Sequence, residues 1–300
     1  PRVAPSGRTS ALVSSTSTTL VRWDLSPGSQ KAAARGSRSR HHPEMPTLFD
    51  PPHFPFVYAA GHRSDGRENP ATAGGLKRVR RGIYLPEPLW LDLDASDRYR
   101  AFIAASLACS PTSPVLSHLS AAALWRLPIV GSWPGTVHTT VTERSGGRSS
   151  GLFIRHRVAT APPTVIVDGV QCTSLERTIV DIARSGARAS ALAMADHALS
   201  RLLLSSASLR DEDFRLGPGR GSRQSRAVLA LASPLAANGG ESLVRLIIHD
   251  AGFATPTLQE KLEDPDGIIG YVDFSWPQIG VVLEFDGRIK YSDARFTSGL

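Results

Sequence analysis

Between Gly270 and Tyr291 the chain reads G-Y-V-D-F-S-W-P-Q-I-G-V-V-L-E-F-D-G-R-I-K-Y. Two short runs of β-branched, aromatic and aliphatic residues are joined there by Pro277, Gln278, Ile279 and Gly280, the punctuation of an antiparallel hairpin. If those four residues form the turn, its centre lies between Gln278 and Ile279, and Asp273 stands directly opposite Glu284. Strand side chains alternate with a period of two, so Asp286 shares the face of Glu284. Val281, Leu283 and Phe285 share the other face with Val272 and Phe274. One face is therefore apolar and must be covered; the other is acidic.

Directly opposed residues have Cβ atoms about 5 Å apart, where like charges repel. A divalent cation would remove the repulsion. Hard oxygen ligands at this spacing suit Mg²⁺ or Mn²⁺, which activate water and stabilise charge at a phosphoryl centre. The same pattern also fits the solvated outer face of an ordinary hairpin, because acids are common on wet surfaces. Upstream, Asn238-Gly239-Gly240-Glu241 opens a helix that ends at Gly252. Glu241 stands three residues after Asn238, where it can act as a capping-box acid favoured by the helix dipole. Arg245 and His249 follow it at i+4 steps, a phosphate binder and a base candidate on the Glu241 face, while Leu243, Val244, Ile247 and Ile248 are expected on the buried side.

V272-D273-F274, P277 and V282-L283-E284-F285-D286-G287 resemble the Asp…Glu-x-Asp-Gly core of the very-short-patch-repair-like nuclease domains, a branch of the PD-(D/E)xK superfamily. The resemblance runs from about Gly240 to Tyr291, and Glu241 fits the helix Glu that precedes the two core acids in that family. It implies a restriction-endonuclease-like α/β domain that hydrolyses DNA phosphodiester bonds with Mg²⁺ or Mn²⁺. Asp273, Glu284 and Glu241 would be metal ligands, and Asp286 would support the metal or its water. The superfamily Lys two residues after the Glu is replaced by Asp286; Lys290 is then the nearest candidate beside the scissile phosphate.

The formal charge of +7 and pI of about 9.9 invite a nucleic-acid partner, but the charge is uneven. Residues 1–44 hold seven basic and two acidic side chains, leaving only +2 for the other 256. This Ser-, Thr-, Ala-, Pro- and Arg-rich segment lacks a periodic apolar pattern, so residues 1–45 are expected to form a disordered basic tail. A phosphate-binding arm, a transit peptide and upstream sequence foreign to the natural product all fit it; a natural start near Met45 is the expectation. No run approaches 18 apolar residues, so no membrane span is expected. Cys109 and Cys172 lack metal-type spacing and suit a reduced, cytoplasmic compartment.

Leu76-Lys77-Arg78-Val79-Arg80-Arg81-Gly82-Ile83-Tyr84-Leu85 reads as a basic β-ribbon able to lie along phosphates, or as an edge strand protected by charge. Helices are expected over Asp97–Cys109, from Ser117 to Pro128, and from a capping box at Thr173–Glu176 to Gly186. Strands are expected at Val137–Val141, Leu152–His156 and Val165–Val170. His118 is read as a first-turn residue facing solvent or a loop, with a ligand or base as the alternative. The Gly/Arg loop Gly217–Arg226 is either a phosphate-contacting cluster, with Arg223 at its centre, or a plain linker. The ribbon, S117-H118-L119-S120-A121-A122 and T173-S174-L175-E176-R177-T178-I179-V180-D181-I182-A183 resemble AbiEi-type antitoxin proteins.

That second resemblance implies a winged-helix module binding DNA through Lys77, Arg78, Arg80 and Arg81, with a cognate toxin as partner; Arg223, from the loop before the nuclease-like segment, and Arg245, on the Glu241 face, are further candidate phosphate contacts. It also carries an alternative function, an antitoxin-like regulator whose nuclease-like domain is a degenerate interaction module. The expected fold class is α/β (mixed α+β). A partial winged-helix-like module occupies 46–90, an α+β middle domain 91–215, a linker with a short helix 216–237, and the nuclease-like domain 238–300. Only nine residues follow Tyr291, so that last domain is expected to be cut short.

Overall fold

The computed structural model describes residues 10–13, 19–23, 54–64, 69–72, 74–142, 151–265 and 267–285. The chain is mixed α+β, and its described residues form three sheets. Two strands, β1 (Ser10–Val13) and β2 (Thr19–Trp23), lie within the segment expected to lack regular structure. Short apolar and β-branched runs, A-L-V and T-L-V, suffice for strand pairing once a sheet edge is offered to them.

A small sheet follows, of order β3-β5-β4, from β3 (Val57–Tyr58), β4 (Leu76–Arg80) and β5 (Ile83–Pro86), with the six-residue α1 (Ala59–Ser64) between its first two strands. Gly82, at φ 82°, makes the β4–β5 turn, and a bulge between Arg78 and Arg80 re-aims the basic strand. Ile83, Tyr84 and Leu85 are buried, which fixes the ribbon to the body of the protein.

The middle region begins with α2 (Glu87–Asp92) and α3 (Ala95–Leu107), the latter capped by the Asp94 carboxylate. The strands β6 (Val115–Leu116), β7 (Val137–Thr142), β8 (Phe153–Val158), β9 (Thr164–Val167) and β10 (Val170–Thr173) form a sheet of order β8-β7-β6-β10-β9. Asp168 and Gly169, both left-handed at φ 51° and 76°, close the β9–β10 hairpin in the twist that two-residue turns favour. The β7–β8 pair is parallel, and most of the Gly-rich stretch between them, 145–151, lies outside the described residues.

Helix α4 (His118–Leu124) follows β6 and packs Ala121, Ala123 and Leu124 against Val137 and Tyr99. Helices α5 (Leu175–Ser185), α6 (Arg188–Ser200), α7 (Ser206–Arg215) and α8 (Ser222–Leu231) form the largest core, centred on Ile179, Ile182, Leu192 and Met194. The α5 cap is Ser174, whose hydroxyl accepts from Arg177 N, rather than the expected Thr173. Thr173 is taken instead by a buried hydroxyl pair with Thr178 at 2.7 Å.

The C-terminal unit comprises α9 (Gly239–Asp250), β11 (Thr257–Asp264), β12 (Gly267–Trp276), a 3₁₀ turn (Pro277–Ile279) and β13 (Val281–Phe285). Its sheet has the order β1-β2-β13-β12-β11, with β2 parallel to β13, so the unit is completed by strands from the chain's beginning. Val244 and Ile248 of α9 cover Phe274 and Leu283, joined by Leu258, Trp276 and Phe285. The buried side of α9 differs from expectation: Ile247 is exposed, while Arg245 is buried. The helix packs against α6 as well as the sheet, and Asp196 of α6 supplies a carboxylate for Arg245 there. A Cβ at Gly240 would overlap the Phe285 ring that closes over this end of the helix, so a larger residue there requires that ring to move.

Candidate functional site

The hairpin register pairs Phe274 with Leu283, Ser275 with Val282 and Trp276 with Val281, which sets the next positions, Asp273 and Glu284, opposite each other. The parity expected from the turn is therefore the parity of the strands. Asp273 is half-buried; its Oδ2 accepts the Phe285 backbone N–H at 2.8 Å. The 3₁₀ turn ends at Gly280, left-handed at φ 61°, which lets the short connection hold that register.

Glu241 joins the two strand acids from the first turn of α9. Asn238 caps this helix, its Oδ1 accepting from Gly240 N at 2.8 Å and Glu241 N at 3.0 Å. Glu241 reaches back, accepting from Ala237 N at 2.8 Å and from the Asn238 amide at 2.6 Å. The capping role is thus real, yet the carboxyl is only 5% exposed and lies within the field of both Asp273 and Glu284. Desolvation, reinforced by those two carboxylates and opposed by the Ala237 and Gln259 hydrogen bonds, pushes its pKa up to about 7.

Two polar residues of β11 complete the arrangement. Gln259, in register with Asp273, donates from Nε2 to Asp273 Oδ1 at 3.1 Å and to Glu241 Oε2 at 3.4 Å. Its backbone is left-handed, φ 51°, inside a strand. That break in alternation also brings the Glu260 carboxylate to the Ser275 hydroxyl on the Asp273 side. No strand was expected over β11, so the sequence offered no signal for Gln259, and for Glu260 alternation points the wrong way.

The donor set, all carboxylate oxygen, is in kind what Mg²⁺ or Mn²⁺ takes. In arrangement it is not yet a cage: both oxygens of Glu241 and of Asp273 accept N–H groups from the protein. Among the described residues, no three His, Cys, Asp or Glu side chains are gathered to hold a metal ion. Asp286 and Lys290 lie outside the described residues.

The basic residues divide. Lys77, Arg78 and Arg81 are exposed on the β4–β5 ribbon, and Arg223 is exposed on the first turn of α8. Arg223 lines an open groove of about 520 Å³ with Arg188, Gly221 and Gln224. Arg80 turns inward instead, donating from Nη1 to the Ser106 carbonyl at 3.1 Å, where it caps the C-terminal end of α3. Arg245 is 4% exposed and paired with Asp196, which also accepts Ser242 Oγ at 2.6 Å and Ser233 N at 2.7 Å. Neither Arg80 nor Arg245 is presented to a nucleic acid in this arrangement.

A second cluster lies in the middle sheet. His138 Nδ1 and His156 Nε2 are 2.9 Å apart, and the His118 ring stacks on His156 with centroids 3.5 Å apart. His118 is thus stacked on a neighbouring ring, not facing solvent as expected, and its backbone is left-handed at φ 49°. Burial lowers the pKa of all three: that of His118 falls well below the usual histidine value, with His156, His138 and Arg177 adding to the effect, and that of His138 falls to about 4.

No family model matches the chain. Two curated proteins from Mycobacterium tuberculosis strains, uncharacterized protein MT2308 and uncharacterized protein Rv2248, are each 30% identical to it over 136 residues, 45% of this chain and 49% of theirs. The chain thus spans about half the length of the curated relatives it matches. A solved structure, the RV2827C protein from Mycobacterium tuberculosis, aligns over 77% of this chain and 86% of its own at 15% identity and a TM-score of 0.34.

Proposed function

We propose that this protein is a cytoplasmic, metal-dependent DNA endonuclease whose site is formed by Glu241, Asp273 and Glu284. The observation that supports it is the meeting of three acids from one helix and two strands, close enough for Asp273 and Glu284 to raise the proton affinity of Glu241. Like charges assembled at such cost are characteristic of functional sites. Mg²⁺ or Mn²⁺ bound there would activate a water and neutralise charge on a phosphodiester. Glu241, Asp273 and Glu284 are the residues that would hold it; because the oxygens of Glu241 and Asp273 are engaged by N–H donors as placed, no step is assigned through the metal. The test is nicking of supercoiled and mismatched duplex DNA in Mg²⁺ or Mn²⁺. Cleavage by the parent and none by Asp273→Ala is the expected result; equal cleavage by both, or none by either, ends this reading.

A second reading, an antitoxin-like DNA-binding regulator partnered by a toxin, is favoured by the exposed Lys77, Arg78 and Arg81 on a ribbon held from behind by Ile83 and Leu85. It predicts binding to DNA whose log K falls with log salt, by roughly 0.9 in slope for each phosphate contact. Replacing Lys77, Arg78 and Arg81 together by Ala should flatten that slope. An unchanged slope removes the ribbon from the interface.

A further inference from the structure

The two sides of the C-terminal sheet are built differently. Among the described residues the order β1-β2-β13-β12-β11 ends at β11 on one side, while β2 and β1 extend the other side beyond β13. β11 bears Glu260, Lys261, Glu263 and Asp264, and its pairing with β12 shifts between Leu262 and Glu263. Charges and register breaks are the devices by which an edge strand refuses foreign strands. β13 reads V-V-L-E-F, with one charge and no proline, and its register with β2 runs unbroken from Val281 to Phe285. That side of the sheet is suited to receive a strand.

The strand it receives brings little of its own. β2, T-L-V-R-W, belongs to a Ser-, Thr- and Arg-rich segment poor in apolar residues, and residues 24–53 separate it from the next described residue, Phe54. A two-stranded ribbon such as β1–β2 is marginal by itself in water, so it owes its order to the edge it meets. Strand addition of this kind draws its affinity from main-chain hydrogen bonds and its specificity from alternate side chains. The register sets that specificity: Leu20 and Val21 stand beside Val282 and Leu283, and Arg22 stands beside Glu284, an opposite-charge match.

We propose that the β2 side of β13 is a strand-docking site, occupied in cis by Thr19–Trp23 and exchangeable for an extended segment of a partner protein. The partner segment is apolar, carries a basic residue at the Glu284 register, and lies parallel to β13 as β2 does. The chain's own segment competes with it, so the fraction of molecules with a vacant edge sets the apparent affinity. This surface does not depend on the chemistry proposed for the acidic cluster, although a strand docked there runs beside Glu284.

The test uses a labelled synthetic peptide of residues 17–25, S-T-T-L-V-R-W-D-L, added to the full chain and to its Leu20→Pro/Val21→Pro variant, and read by fluorescence anisotropy and amide hydrogen exchange. Proline lacks the N–H that a ladder needs, so the variant's own segment leaves the edge. The variant should exchange its Val281–Phe285 amides faster than the parent, bind the peptide about tenfold more tightly than the parent does, and regain protection of those amides when the peptide is bound. The same peptide with Arg22→Glu should bind more weakly. Arg22→Glu in the full chain takes the place of the proline variant if that variant fails to fold. Equal protection of Val281–Phe285 in parent and variant overturns the proposal, as does a vacated edge that the peptide does not protect. A parent that sediments as a dimer, and a proline variant that sediments as a monomer, overturns it in favour of strand exchange between copies of this chain.

Discussion

The middle sheet and the C-terminal sheet each gather groups of one kind, His118, His138 and His156 in the first, Glu241, Asp273 and Glu284 in the second. Burial disfavours charge on the three histidines and on Glu241, yet it does so with opposite signs. The histidines become neutral by losing protons and then need no counterion: one ring donates to another across 2.9 Å and the third stacks. The acids become neutral only by gaining protons, and at pH 7 Glu241 is poised about midway. The remaining charge is met by N–H donors from Ala237, Asn238, Gln259 and Phe285. The cluster of bases is thus self-sufficient at neutral pH, whereas the cluster of acids depends on N–H donors from the surrounding chain.

The largest effect should come from cutting the pair that joins the two regions. Arg245 of α9 and Asp196 of α6 are both buried, and Arg245 Nε and Nη1 have no further hydrogen-bond partner. Asp196→Ala would leave the guanidinium uncompensated and also strand Ser242 Oγ and Ser233 N. The expected cost is about 3–5 kcal/mol, read from urea unfolding. A loss below about 1 kcal/mol would mean that the two regions are not held by this pair and titrate independently.

Next in size is the opposed pH dependence of the clusters, measured without metal in EDTA. Glu241 has its folded pKa raised from 4.5 to about 7, so the folded state binds the proton more tightly than the unfolded chain. Its contribution is full below pH 4.5 and is lost as pH rises to 7, by about 3 kcal/mol. Glu241→Gln should abolish that decline. If the Gln variant keeps the parent's slope, another group carries the proton.

His138 titrates with the opposite sign. Its folded pKa, about 4, lies below the unfolded value of 6.5, so stability is full above pH 6.5 and falls as the unfolded chain takes up protons toward pH 4. For a half-buried ring, screened in part by solvent, the loss is roughly 2 kcal/mol. His138→Asn should reduce this limb, leaving the contributions of His118 and His156, whose pKa values burial also lowers. Between pH 4.5 and 6.5 the parent therefore shows a compromise of two opposed slopes, and the Glu241 and His138 variants should tilt it in opposite directions. Variants tilting the same way would show that the two clusters are not equivalent in their physics.

How legible each cluster was in the sequence follows from what fixes it. Asp273 and Glu284 could be placed because a four-residue turn sets the register and alternation does the rest. Glu241 could be placed because its cap is local. Gln259 depends on one left-handed residue in a polar strand whose neighbours do not announce it. The histidines come from three elements, two of them a parallel pair whose crossover has no short-range signal. Arg80 and Arg245 were expected at phosphates and are instead drawn inward, one by the carbonyls ending α3 and one by Asp196. A basic residue's direction is decided by tertiary partners, which composition cannot supply.

The smallest expected effect tests whether the basic cluster is as self-sufficient as the comparison requires. Burial opposes protonation of His118 most, and His156, His138 and Arg177 add to it, so acidification works first against desolvation and then against those neighbours. His118→Asn keeps a residue tolerant of the left-handed backbone and loses mainly the stack on His156, a change of about 1 kcal/mol or less at pH 8. The same variant removes one group that the unfolded chain protonates and the folded chain does not. Its acid-unfolding midpoint, followed by far-UV circular dichroism, should therefore move to lower pH. A midpoint that stays with the parent's would place the acid sensitivity of the middle sheet in His138 and His156 alone, and would reduce the three-ring cluster to a pair with a bystander.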